Sequence, residues 1–311
     1  MPGFGTNGPS VAVARRAGSR RRERFIQQLF LLPAVAYILI FFGYPVVKNV
    51  VMGFQNYSMK SFFTGKAPWV GLQNYESVVS SPIFSSALIN TIVFTICSIA
   101  GQFVIGLAIA LYFRKRFPLN DLLRSLILLP WLLPLIVSSA IWRWLLDQDN
   151  GALNRILELL LLADRPGWLT TTSLSLVACI LVNIWIGIPF NVAILYSGLQ
   201  EIPEELYEAG QLDGATGWTA FRWITWPLMR PVVSVVLMLG VIYTLKVMDL
   251  ILGLTGGGPA NSSQTLATQS YHLSFVQFQF GQGAAMANIL VAISLIFALL
   301  YLYINKFAGK S

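Results

Sequence analysis

The strongest constraint on this chain is a set of long apolar stretches that a soluble fold has no way to cover. A helix needs about 20 consecutive apolar residues to cross about 30 Å of hydrocarbon. Stretches of that kind lie near residues 28–53, 86–113, 122–146, 172–198, 232–254 and 285–305. None could remain so apolar on every face and stay soluble. Composition agrees: 56% of the 311 residues are hydrophobic and 11% are charged, against roughly 25% charged in an ordinary soluble domain. The expected class is therefore an all-α integral membrane protein with six transmembrane helices. The first stretch follows Arg15, Arg16, Arg20, Arg21, Arg22 and Arg24, which invites comparison with a signal peptide. It is too long for a signal core, ends in no small-x-small cleavage site and precedes five further spans, so it reads as a retained anchor.

Cytoplasmic loops carry an excess of Lys and Arg. Alternate sides of the six spans divide the cations unequally. One side holds the six N-terminal arginines, Arg114, Lys115, Arg116, Arg124, Arg222, Arg230, Lys306 and Lys310. The remaining cations, Lys48, Lys60, Lys66, Arg143, Arg155, Arg165 and Lys246, lie within spans or on the opposite side. Both termini are expected in the cytoplasm. The formal charge of +8 then belongs to loops facing anionic lipid and not to nucleic-acid binding. The implied organisation is a basic tail over 1–27, a membrane domain over 28–305 with a polar cytoplasmic loop at 199–231, and a short tail at 306–311.

Between spans, segment 54–85 mixes Phe54, Tyr57, Phe62, Phe63, Trp69 and Tyr75 with Gly and Pro, which suits a compact external loop or interfacial helix. Pro130 and Pro134 in the third span and Pro189 in the fourth remove backbone donors and are expected to kink their helices. Trp131, Trp142, Trp144 and Trp168 read as interfacial anchors. Cys97 and Cys179 fall within spans and read as small buried apolar side chains.

The loop between spans four and five reads EIPEELYEAGQLDGATGWTAFRWITWPLMRP from Glu201 to Pro231. Pro203 with Glu204 and Glu205 forms a helix start, because proline fits the first turn and carboxylates favour its partial positive charge. The helix should run to Asp213 and Gly214. A second short helix opens at Thr216 or Gly217 and is expected to end near Pro227 and Pro231, before span five. These residues resemble the EAA motif of binding-protein-dependent ABC importers: Glu-Ala-Ala, three residues, Gly, nine residues, Ile, one residue, Leu-Pro. Glu208, Ala209 and Gly210 occupy the triplet, Gly214 and Ile224 follow at the motif's spacing, and Trp226-Pro227 closes it. Gly210 and Trp226 depart from the pattern in bulk alone. The resemblance implies a type I importer permease fold and a coupling helix, with Glu208, Ala209, Gly210, Asp213, Gly214 and Ala215 docking on a separate ATPase.

The segment DLILGLTGGGPANSSQTLATQSYHLSF, from Asp249 to Phe275, is similar to the external link of maltose- and glycerol-phosphate-type sugar permeases, the larger of the two partners. Leu254-Thr255, Gly257-Gly258-Pro259, Thr265-Leu266 and Tyr271 carry the similarity, with LLPAVAYILIFFGYPV and GLQNY earlier in the chain. This implies a second homologous permease, an ATPase dimer, an extracytoplasmic sugar-binding protein and a sugar substrate, with ATP and Mg bound by the ATPase and no cofactor on this chain. The loop's glycines and small polar residues also suit close approach to another protein, or a plain connection.

Polar and aromatic residues within spans mark a candidate substrate path, since buried polar groups in lipid are costly unless they face a cavity or partner. They are Asn183, Trp185 and Asn191 in span four and Tyr243, Lys246 and Asp249 in span five. Amides with aromatics suit a carbohydrate. Equally, the asparagines could join helices, and Lys246 with Asp249 could form an internal ion pair. Gly256 to Gly258 and the terminal Gly309-Lys310-Ser311 lack the context of a phosphate loop, and His272 reads as a loop residue. An ion-coupled secondary transporter is the alternative class, but it leaves the polar loop unexplained. A membrane enzyme lacks a nucleophile with its base.

Overall fold

The computed structural model describes residues 30–115, 117–160 and 165–308, with side chains through residue 303. The arginine-rich segment, Arg116, and the side chains of Lys306 and Lys310 lie outside the described residues. Among the described residues the regular secondary structure is all helical, apart from an isolated bridge between Gln55 and Trp69. Two units are distinguished, the first ending at Met52 and the second starting at Gly53. The first unit contains helix α1, Phe30–Met52, with mean hydropathy 2.2 and a π-helical turn at Leu39–Gly43.

The second unit begins with the predicted compact segment. Helices α2 (Met59–Thr64) and α3 (Gln73–Val79) flank a turn in which Phe54 stacks on Trp69 with ring centroids 5.4 Å apart. Asn74 ties it down by donating to the carbonyls of Gly53 and Gln55 at 2.9 and 2.8 Å. Span α4, Pro82–Phe113, starts as a proline-led helix should: Pro82 sits in the first turn and Ser81 caps it by accepting from the Ile83 amide. It lies along span α8, Thr172–Gln200. The two meet closely where Gly101 faces Ile184, Gln102 donates to the Asn183 carbonyl beside Gly187, and Gly106 faces Asn191. Small and polar side chains let membrane helices approach where no hydrophobic drive between them exists.

The third span is broken, not merely kinked. Helices α5 (Asn120–Leu132) and α6 (Leu135–Leu145) are bent by 97°. The cause is local: Leu133, ahead of Pro134, takes the extended conformation (φ −77°, ψ 134°) that a following proline favours. Pro189, by contrast, is accommodated inside an uninterrupted α8. Helix α7, Ala152–Leu159, leads to Trp168, whose indole donates to Asn154 at 2.8 Å, so this tryptophan is a tie and not a free anchor.

The fifth span also differs from expectation at both ends. The short amphipathic helix does not stop at Pro227 or Pro231: α10 runs from Trp218 to Leu245 without a break, through a π-helical stretch at Phe221–Thr225. It then ends at Leu245, and Asp249 opens a separate helix α11, Asp249–Leu254, which packs on α6. Pro227 falls in the first turn after the π stretch, where its missing amide costs little. The last helix, α13, covers Phe280–Ala308.

The link 255–265 is not the open loop expected. Ser263, Gln264 and Thr265 are buried, and Ser263 Oγ lies 2.7 Å from Thr255 Oγ1 and donates to the Gly258 carbonyl at 2.9 Å. Asn90 of α4 donates to the carbonyls of Ser262 and Gln264. Helix α12, Leu266–Tyr271, starts with a capping box between Thr265 and Thr268 and continues into a π turn at His272–Val276, so His272 is helical. Cys179 is buried as expected, but Cys97 is exposed on α4.

Candidate functional site

Two features stand out at different depths of the second unit. The first is helix α9, Glu204–Leu212, which matches its predicted bounds. Pro203 sits one position earlier than a first-turn proline, as the N-cap, with Glu204 and Glu205 in the first turn. The C-terminus closes with two bonds: the Gly214 amide donates to Gln211 O at 3.0 Å and the Ala215 amide to Gly210 O at 2.7 Å. That is the Schellman arrangement, and it requires a left-handed residue at Gly214, whose φ is +81°. Gly214→Ala has open space for its methyl, so its cost is the backbone alone, about 1 kcal/mol. The expected result is a folded permease with a frayed α9 terminus, visible as faster amide hydrogen exchange over 209–215 with none in the spans.

Around α9, Leu111, Arg114, Lys115, Glu204, Tyr207, Glu208, Gln211, Thr216, Trp218 and Phe221 line a groove of about 680 Å³. Glu208 and Ala209 are exposed, and among the described residues Glu208 forms no ion pair. Gly210 faces inward: a methyl there would lie 2.6 Å from Ile224 Cδ1, so the isoleucine occupies the space that an alanine of the motif would fill. The departure from the pattern is thus offset by another motif residue. Asp213 caps the helix C-terminus and is exposed.

The second feature is a cavity of about 570 Å³ where the two broken spans meet α4 and α8. Leu133 and Leu135 beside Pro134, and Lys246, Val247 and Met248 in the gap after α10, contribute to its wall. Of the six candidate path residues, the structure brings four together here: Asn183, Tyr243, Lys246 and Asp249. The other two are elsewhere. Trp185 packs edge-on against Trp142 at 5.5 Å and lines a different, apolar groove, while Asn191 bonds the Gly187 carbonyl of its own helix at 2.9 Å. Lys246 and Asp249 are not an ion pair. Lys246 Nζ instead lies 5.0 Å from the centre of the Tyr243 ring, and Asp249 stands in the first turn of α11, where a carboxylate is favoured.

Sequence reasoning missed three lining residues. Trp131 lies at the span break, 5.9 Å from Phe190, which is in turn 5.9 Å from Tyr243, giving a run of aromatic faces. Gln102 donates to the Asn183 carbonyl at 2.9 Å. Among the described residues the Asn183 amide nitrogen has no partner although it is buried. A buried donor left open on a cavity wall favours an incoming acceptor. The signal for Trp131 was present, since it stands between Pro130 and Pro134.

A helical membrane subunit with broken spans around a cavity, and a polar helix outside those spans, has the architecture of a transport component. The chain belongs to the family described as binding-protein-dependent transport system inner membrane component, which matches residues 102–309. It is 32% identical over 289 residues to the trehalose/maltose transport system permease protein MalF of Thermococcus litoralis, covering 92% of this chain and 95% of that one. It is 30% identical over 315 residues to the diacetylchitobiose uptake system permease protein DasB of Streptomyces coelicolor, covering 97% and 92%. Its fold matches a chain of a bacterial alginate ABC transporter crystallised with an alginate pentasaccharide-bound periplasmic protein, with a TM-score of 0.80 at 20% identity, over 94% of this chain and 98% of that chain. Membership of this family sets the ion-coupled alternative aside.

Proposed function

We propose that this chain conducts a disaccharide or oligosaccharide across a bacterial cytoplasmic membrane, as one of two homologous permeases in an ATP-driven importer. An extracytoplasmic binding protein delivers the sugar, and alternating access passes it along a path shared by the two permeases. A separate ATPase dimer engages α9 and its closing turn through Glu208, Ala209, Asp213, Gly214 and Ala215, while the inward Gly210 seats the helix on Ile224. ATP and magnesium belong to that ATPase; this chain carries no cofactor and hydrolyses nothing. Both termini are cytoplasmic, and the coupling segment is the stretch 201–217 between α8 and α10.

The observation that carries this reading is the cavity wall. Trp131, Phe190 and Tyr243 offer apolar faces, and Gln102 and Asn183 offer amides, beside the single charges of Lys246 and Asp249. Sugar rings present apolar faces and hydroxyl edges, which such a wall matches. The similar permeases named for trehalose, maltose and diacetylchitobiose support the same substrate class. The test is to purify the complex through a tag on this chain and reconstitute it with its binding protein. ATP-dependent uptake of at least one of radiolabelled trehalose, maltose or diacetylchitobiose is expected, and no ATP hydrolysis by the chain alone. Transport of an amino acid in place of these sugars, or uptake driven by a proton gradient without the ATPase, would overturn the reading.

A further inference from the structure

We infer that Tyr207 is the positioning residue that ties the docking helix to two separate spans, so that a displacement of α9 moves both together. The inference rests on the docking reading above and adds how motion leaves the docking helix. Tyr207 follows the first turn of α9, next to the exposed Glu208 but turned toward the protein. Its ring lies under the Arg114 guanidinium at 3.7 Å, at the end of α4. Its hydroxyl lies 2.9 Å from Thr225 Oγ1, in the π-helical stretch that begins the fifth span. Thr225 is buried, and Tyr207 packs beside Trp226 against the cluster of Leu195, Leu199, Met229 and Val233.

The two contacts differ in kind and in target. Arginine stacks through its planar face and tolerates sliding, with a strength of about 0.5–2 kcal/mol depending on desolvation. The hydroxyl contact is directional and fixes register. About one helical turn later, three residues on, Gly210 meets Ile224, so Tyr207 and Gly210 present one face of α9 to consecutive residues of the π stretch. With that face seated, α9 and α10 move as one piece, and Arg114 makes α4 follow. If Tyr207 is cut back, the ATPase still has its exposed surface to grip, but the push is no longer delivered to α4 and α10.

The experiment uses the whole complex in proteoliposomes and measures sugar molecules imported per ATP hydrolysed, together with recovery of the ATPase on the tagged permease. Tyr207→Leu is expected to lower the import-to-hydrolysis ratio by at least about fivefold, the lower end of usual coupling strengths, while the ATPase still co-purifies. Tyr207→Phe keeps the stacking face and should lose less. Adding Thr225→Val to Tyr207→Phe should cost nothing further, because both remove the same contact. Arg114→Lys should retain more coupling than Arg114→Leu. An unchanged ratio in Tyr207→Leu, additive losses in the Phe and Val pair, or loss of the ATPase on Tyr207→Phe alone each overturns the inference. If Tyr207→Leu fails to fold, the Phe and Val pair decides. A parent complex that brings down no ATPase refutes the docking reading itself, an outcome visible before any variant is made.

Discussion

Glu208→Lys is expected to abolish sugar uptake while the permease stays in the membrane at its normal level. The side chain is exposed at the rim of the α9 groove and forms no ion pair among the described residues, so reversing its charge removes nothing that holds the fold. Helix α9 itself is kept by its first-turn carboxylates Glu204 and Glu205 and by the turn at Gly214. What changes is the partner contact. On the proposed docking, the carboxylate would face a basic group on the ATPase, and the substitution puts in its place an ammonium that repels that group, in a groove already carrying Arg114 and Lys115. Breaking one charge pair at an interface costs about 2–5 kcal/mol, which is a loss of at least about 30-fold in docking. Uptake into vesicles, set against permease quantity by immunoblot, checks it; full uptake would sink the role. Glu208→Gln keeps the shape and one acceptor and should retain a measurable fraction.

Helix α9 was legible because its signals are local. Pro203, two glutamates and Gly214 set the bounds of α9 through backbone chemistry that needs no tertiary partner. The spans were legible for the same reason, since length and apolarity suffice. The end of α10 was not. Nothing in Leu245, Lys246 or Val247 breaks a helix, and the gap exists because α11 turns to pack on α6, with Leu250, Ile251 and Leu254 buried beside Leu146. That tertiary choice also separates Lys246 from the Asp249 that helical spacing would place one turn away. Polar residues in spans gave the right chemistry but could not tell cavity from helix interface: Asn183 and Asn191 differ by eight residues and share a helix, yet only the first lines the cavity. The π stretch at Phe221–Thr225 ends just before Pro227, whereas Pro231 lies inside α10, and no rule of spacing anticipates either. The span break was within reach, because the pre-proline restriction at Leu133 is itself a local signal.

Gly106→Leu is expected to cost most of the folded chain. A Cβ at Gly106 would sit 2.6 Å from Asn191 Cβ, with the Asn191 carbonyl carbon and the Val192 amide nitrogen each at 3.5 Å. Those atoms are fixed: Asn191 is bonded to Gly187 O, and Val192 is buried in the middle of α8. Relief therefore requires moving α4 and α8 apart along the contact that holds the bundle together, where the Gln102 to Asn183 bond would part too. Overpacking a rigid site costs about 1–3 kcal/mol or more, and in lipid no hydrophobic drive between helices offsets it. Gly210 is the control. Its missing Cβ is also 2.6 Å from a neighbour, but that neighbour is the terminal methyl of Ile224, which can rotate aside. Size-exclusion profiles of detergent-extracted fluorescent fusions should show Gly106→Leu severalfold reduced or aggregated and Gly210→Ala near the parent. Equal recovery of both would mean that distance to the nearest atom, and not the rigidity of that atom, governs tolerance between these helices, and the close approach of α4 and α8 would lose its standing as the contact on which the fold depends.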